Sequence, residues 1–383
     1  MNIYRVGGAV RDQLLGLPVN DVDWVVVGAT PQQMLDQGFQ QVGRDFPVFL
    51  HPETKQEYAL ARTERKTAPG YTGFVVHTDP NVSLEQDLAR RDLTINAMAQ
   101  DGAGTITDPY HGQRDLEQRV LRHVTDAFVE DPLRVLRVAR FAARFSSLGF
   151  YLAPETLNLM QTMTADGELG TLVAERVWVE TNRALAEADP LAYFDVLDEC
   201  AALQQVFPEI ASVWRQGTPS ARELLNAIAQ VDPSVDVSNL SAAPGRAELR
   251  FAAIAMTIDH DSFRALVDRL RVPKSYSQLA ELAAGHIDSL HRFTSMDAEQ
   301  RLHLLESMDV LRRPQRIQSL LPLARCHWQL LHEGVTDYPQ ADLVLKAIKQ
   351  ISLVTSADLV EQGIAGPAMA QALRLKRLQA LAS

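Results

Sequence analysis

The spacing of apolar residues changes partway along the chain, and this change does most to limit the fold. Up to about residue 120, the short branched runs Ile3 to Val6, Val22 to Val27 and Glu57 to Ala61 stand between turns and read as strands. Ala9 to Leu15 has helical spacing and is closed by Gly16 and Pro18, so the chain opens strand, helix, strand. From Asp131 onward, long Ala/Leu/Arg-rich stretches repeat with helical period and break at Pro154, Gly167, Pro190 and Pro208. Strands followed by helices predict an α+β chain, with a mixed head and an all-helical remainder. The 383 residues suggest two to four domains, and a hydrophobic share of 46% excludes disorder. We place divisions near residues 120 and 195, giving a head over 1–120, a helical neck over 121–195 and a helical body and tail over 196–383. Asp232 to Gly245, rich in Pro, Ser, Asp and Ala, reads as an internal linker. Thr63 to Phe74, with Pro69, Gly70 and Gly73, reads as a mobile loop.

Charge narrows the possible partners. There are 37 Lys and Arg against 48 Asp and Glu, a net charge of −11, so any contact with nucleic acid needs a local basic surface. Cys200 and Cys326 are too few for a disulfide framework or a four-thiolate zinc site, and a reduced, cytoplasmic protein is expected. Met1 to Arg11 has no signal-like apolar stretch, and no apolar run approaches the roughly 18 residues that span a bilayer, so no membrane partner is expected.

Two short motifs near the start carry chemistry. In Gly7-Gly8-Ala9-Val10-Arg11-Asp12, paired glycines enter a helix, let the backbone approach a phosphate and leave free N–H donors facing it. Arg11, one turn in, can reach the same anion; a plain tight turn is the alternative. Asp21 and Asp23 then flank Val22 at the head of the second strand. Strand side chains alternate, so both carboxylates would share one face and repel unless a cation lay between them. Hard oxygen ligands suit Mg²⁺, which brings substrate phosphates with it. Asp is also common at strand ends, where water alone solvates it.

These motifs, with Arg90-Arg91-Asp92-Leu93-Thr94-Ile95-Asn96-Ala97, Glu130-Asp131-Pro132-Leu133-Arg134 and Glu175-Arg176-Val177-Trp178, occur in an order and spacing that resembles the class II tRNA nucleotidyltransferases, the bacterial CCA-adding enzymes. The match is dense from Tyr4 to about Leu185 and fades beyond residue 200. The resemblance implies a DNA polymerase β-like nucleotidyltransferase head followed by helical neck, body and tail. It implies that Asp21 and Asp23 bind the catalytic Mg²⁺, and that Gly8, Arg11, Arg91, Arg137 and Arg140 contact the incoming ATP or CTP. Glu57 stands where the superfamily often places a third acid. The loop from Thr63 matches one that matters in the family for the switch to adding A.

The helix expected near residue 134 can be read on its own. Arg134, Arg137, Arg140 and Arg144 fall within a sector of about 120° on a helical wheel. That stripe contains no compensating Glu, so an anionic ligand such as a triphosphate or an RNA backbone is expected, a solvated charged face being the alternative. Asp131 and Arg134, three apart, would share this face. A carboxylate only accepts hydrogen bonds and a guanidinium only donates them. Together they match the amino group and ring nitrogen of cytosine or adenine and mismatch uracil and guanine; a simple ion pair is the plainer reading.

The expected activity is therefore template-independent addition of C, C and A to the 3′ end of tRNA from CTP and ATP, with release of pyrophosphate. The alternatives are a poly(A) polymerase, a partial CC- or A-adding enzyme, or, in another class, an RNA-binding protein with a relic nucleotide site. tRNA, ATP and CTP are the expected partners, and DNA is not. Many relatives carry a phosphohydrolase domain rich in His and Asp. Here no histidine lies between His123 and His260, and His260-Asp261 lacks the neighbourhood of that motif, so no functional domain of this kind is expected.

Overall fold

A computed structural model describes residues 1–42, 48–66, 74–77, 79–231, 245–361 and 364–382. Nine strands belong to the head: β1 (Asn2–Val6), β2 (Asp23–Val27), β3 (Gln40–Val42), β4 (Val48–Leu50), β5 (Glu57–Leu60), β6 (Thr63–Lys66), β7 (Phe74–His77), β8 (Ala99–Gln100) and β9 (Ile106–Thr107). Seven of them form one mixed sheet in the order β3-β4-β5-β2-β1-β8-β9. β1 runs antiparallel to β2, with Tyr4 opposite Val25, and β2 runs parallel to β5, with Asp23 opposite Glu57.

Alternation along these strands sends two apolar sets to opposite faces. On one face, Val6, Val25, Ala97 and Ala99 pack with Leu88 from the helix Leu84–Ala89. On the other, Val26, Phe49, Tyr58 and Leu60 pack with Met34 from the helix Pro31–Asp36. Trp24 stacks on Tyr58 at 5.4 Å between ring centroids, a pairing worth ~0.5–1.5 kcal/mol beyond area burial. Capping boxes at Thr30 and Ser83 start the two helices where the polar residue stands three before a Gln.

Several expectations change in detail. The first helix is Gly8–Leu14, only seven residues, so its dipole adds little at its start. β2 begins at Asp23 and leaves Asp21 outside the strand. Thr63 to Phe74 is not loop throughout: β6 and β7 form an antiparallel ribbon pairing Thr63 with His77 and Lys66 with Phe74, while residues 67–73 lie outside the described residues. The stretch beyond Asp131 is not entirely helical, because Tyr151–Leu152 pairs in parallel with Val120–Leu121. Two residues are too few to show a period of two.

The chain forms two compact units, Met1–Phe207 and Pro208–Ser383. Residues 121–207 thus belong to the same unit as the sheet. There the helix Leu133–Phe145 packs on Ala174–Ala186 and Pro190–Glu199. In the second unit, Arg246–Ala255 packs on Ala221–Gln230 and Lys274–His291, and the latter packs on Gln315–Leu331. Trp214, Phe251, Leu266 and Phe293 are buried in this helical core. The linker read at Asp232 to Gly245 lies outside the described residues except for Gly245. Among the described residues no helix is long and apolar enough to cross a membrane. Cys200 and Cys326 are free and buried, and burial raises each thiol to about 11.

Candidate active site

β1 ends at Val6, directly opposite Asp23, and the chain turns at once through Gly7. Gly7 has φ +66°, a conformation costly for residues with a Cβ. A Cβ there would also stand 2.7 Å from Arg91 Nη1, so glycine lets that guanidinium lie over the turn. At Gly8 a Cβ would meet Arg11 Nη2 at 3.3 Å, a flexible tip able to yield. The first glycine is thus the more constrained, although the motif reading selected Gly8.

Beyond this turn opens a cavity of about 680 Å³ lined, among the described residues, by ten arginines and only three acids, Asp23, Asp92 and Asp131. Gly8, Arg11, Arg91, Arg134, Arg137 and Arg140 all line it. Asp21 is exposed two residues before β2 and is not in the lining. Asp23 and Glu57 are exposed neighbours at the matching ends of parallel strands. They point to the face that carries Val25 and Ala59. Asp21 is outside the strand, so alternation does not set its direction as the sequence reading assumed. Among the described residues the carboxylates of Asp21 and Asp23 have no cationic or hydrogen-bonding partner, although arginines crowd the adjoining cavity. The unpaired Asp23 carboxylate at this mouth, with Glu57 beside it, fits a hard divalent cation such as Mg²⁺.

The arginines are held by acids that the helical wheel could not show, which corrects the uncompensated stripe. Asp92, buried, receives Arg137 Nη2 at 2.7 Å and the Nδ2 of Asn96 at 2.9 Å. Burial alone would raise the Asp92 pKa, but the Arg137 charge and hydrogen bonds from Asn96, Arg137 and the Leu93 N–H hold it well below the usual carboxylate range. Glu180 bridges Arg140, at 2.6 Å, and Arg137, at 3.7 Å. Asp12 joins Arg11, at 2.7 Å, to Arg144, at 2.9 Å. Arg11 also lies over the rings of Phe141 and Phe145. Asp87 draws Arg90 to 2.9 Å and Arg91 to 3.4 Å, and although its burial works the other way, these two charges lower its pKa. These anchors align the guanidinium groups before any substrate binds. Arg91 keeps one unsatisfied donor, since its buried Nε has no hydrogen-bond partner among the described residues.

Asp131 and Arg134 line the same cavity but do not form the helix-face pair expected. Asp131 is extended, with φ −114° and ψ 102°, and the helix starts only at Leu133. Its carboxylate accepts the Leu133 N–H at 3.0 Å and Arg176 Nη2 at 3.0 Å. Arg134 is buried and donates to the carbonyls of Ala127 and Arg90. Pro132, which removes an N–H and restricts Asp131, is the local signal for this displaced start. Sequence reasoning missed Asp12, Asp92, Asn96, Arg176 and Glu180 as working residues. All but Glu180 stand inside or beside the quoted motifs, which was the available signal.

Comparison with known proteins agrees with this architecture. Residues 3–122 match the family described as Poly A polymerase head domain, and residues 149–213 match that described as Probable RNA and SrmB- binding site of polymerase A. The Multifunctional CCA protein of Thioalkalivibrio sulfidiphilus is 48% identical, with 100% of this chain and 98% of that protein covered. The CCA-adding enzyme of Pseudomonas putida strain W619 is 47% identical at the same coverage. Among solved structures, a CCA-adding enzyme in complex with ATP superposes with a TM-score of 0.73 at 22% identity, covering 99% of this chain and 86% of that one. The Thermotoga maritima CCA-adding enzyme complexed with tRNA gives 0.67 at 22% identity, covering 99% and 87%.

Proposed function

Because this chain belongs to the family of CCA-adding tRNA nucleotidyltransferases, we propose that its arginine-lined cavity is where the incoming nucleotide meets the tRNA end. The enzyme adds C, C and A to the 3′ end of tRNA from CTP and ATP. The terminal 3′-hydroxyl attacks the α-phosphorus, a new P–O bond forms, and the bond to the β-phosphate breaks to release pyrophosphate. The observation that carries the assignment is a cavity with ten arginines opening beside Asp23. Such excess positive charge suits a triphosphate and the charge that grows on it during displacement.

Each residue then has a task. Arg91, with an unsatisfied Nε, and Arg11 beside Gly8 bind phosphate oxygens. Arg137 and Arg140, pinned by Asp92 and Glu180, orient the sugar and phosphates. Asp21 and Asp23 would hold Mg²⁺, with Glu57 beside Asp23. When bound, the metal would lower the pKa of the attacking hydroxyl and neutralise developing charge. The carboxylate of Asp131, steadied by Arg176, accepts from the amino group of cytosine or adenine, and Arg134 supplies the donor edge. We assign 1–120 to catalysis, 121–195 to base recognition and 196–383 to the tRNA, held by shape because duplex RNA offers little sequence to read. Action on tRNA implies a cytoplasmic setting. The test is product length and base composition on tRNA lacking its CCA end. Three added residues ending in A are expected; an open-ended A tail would overturn the assignment.

A further inference from the structure

Three side chains of the second unit converge with no part in nucleotide transfer. Asp288 and His291 stand three apart on Lys274–His291 and so share one face. His327 comes from Gln315–Leu331, the helix packed against it. One ligand atom from each lies within 4.8 Å of the others, and among the described residues this is the only such trio of His, Cys, Asp or Glu. His291 Nε2 and His327 Nδ1 face each other at 2.9 Å, with the ring planes 5° apart. On the far side of the ring, His291 Nδ1 lies 3.0 Å from the hydroxyl of buried Tyr338. His260-Asp261 plays no part, being exposed and bonded within the dipeptide at 3.2 Å.

We propose that Asp288, His291 and His327 bind a divalent transition-metal cation of the zinc class, leaving one coordination position open. Two imidazole nitrogens and one carboxylate suit Zn²⁺ and its neighbours, whereas Mg²⁺ and Ca²⁺ take oxygen ligands. When Nδ1–H of His291 donates to Tyr338, Nε2 presents its lone pair toward His327, the outer hydrogen bond typical of a ligating histidine. His327 needs only to carry its proton on Nε2 rather than Nδ1, so ligation by the two rings releases no proton. Zinc–nitrogen bonds of about 2.0–2.1 Å put tetrahedral neighbours about 3.4 Å apart, so the 2.9 Å contact must open by roughly half an ångström. His327 also lines a cavity of about 300 Å³ with Met256 and Thr257. The ion would join two helices that pack on each other.

The full chain, stripped by chelator and given one equivalent of Zn²⁺ with excess Mg²⁺ to occupy the carboxylates of the head, tests this by X-ray absorption at the zinc edge. Two imidazole ligands are expected, and a shell of oxygens alone would overturn the proposal without recourse to any variant. In calorimetric titration under the same conditions, His327→Gln and Asp288→Asn should each weaken zinc binding at least about tenfold, and Tyr338→Phe by about 10–100-fold as an outer-shell change. His260→Ala should bind as wild type does. Equal affinity of wild type and His327→Gln would also overturn the site.

Discussion

Arg137 sets its guanidinium 2.7 Å from the Asp92 carboxylate, joining segments 45 residues apart. The bond turns a flexible surface arginine into a fixed donor at the wall of the cavity. Asp92 is itself fixed by Asn96 and the Leu93 N–H, so the Arg91 to Asn96 stretch positions the arginine helix from across the site.

Asp92 should make stability depend on acid pH. Its folded pKa lies below the unfolded value of ~3.9, so its contribution is fully present above that value and fades as pH falls through the lower folded one. Urea unfolding should therefore show a loss of stability below pH ~4 that Asp92→Asn reduces. At pH 7, Asp92→Ala should cost ~1–3 kcal/mol, because it leaves the Asn96 Nδ2 and the Leu93 N–H without their acceptor and Arg137 with only Glu180. An acid limb identical in Asp92→Asn and wild type would remove this role.

The metal assignment makes a sharper demand. Asp21→Ala or Asp23→Ala should abolish both C and A addition while leaving the far-ultraviolet circular dichroism unchanged, since both side chains are exposed. Near-normal turnover with Mg²⁺ in either variant would show that the residue is not a ligand. Glu57→Gln should have the smaller effect, as its carboxylate only adjoins Asp23.

Gly7→Ala should be worse than Gly8→Ala. The first combines a left-handed backbone, costing ~1–2 kcal/mol for a residue with a Cβ, with a 2.7 Å approach to Arg91. If Arg91 serves the phosphates and not the base, the KM for CTP and for ATP should rise together. A rise for one nucleotide alone would count against that reading.

Base choice should respond to Arg176 as well as Asp131. If Asp131 accepts from the amino group, Asp131→Ala should lose ~1–3 kcal/mol of discrimination against U and G. Arg176→Ala should reproduce part of that loss by releasing the carboxylate it holds at 3.0 Å, and the double variant should be less than additive. Arg134→Ala should erode the same preference and also lower Tm, because its guanidinium ties the carbonyls of Ala127 and Arg90. Competition among four nucleotides on tRNA ending before CCA measures all of these; unchanged selectivity in both Asp131→Ala and Arg134→Ala would leave the residues a purely structural role.

What neighbouring residues control was legible in the sequence itself: strand, helix and strand at the start, the Gly7 turn, the placement of Asp23 at a strand head, and helices beyond residue 131. These depend on side-chain period and backbone freedom, which operate over a few residues. The family resemblance added the activity. Only the tertiary structure decided which arginines are restrained and by what, because Arg137 finds Asp92, Arg140 finds Glu180 and Arg144 finds Asp12 across 45, 40 and 132 residues. A helical wheel contains none of these partners. The same limit hid the start of the arginine helix, where Asp131 turned out to be extended and held by Arg176, and it hid the meeting of His291 with His327. Charges pair through space with whatever the fold brings within a few ångströms, and sequence separation has no bearing on that distance.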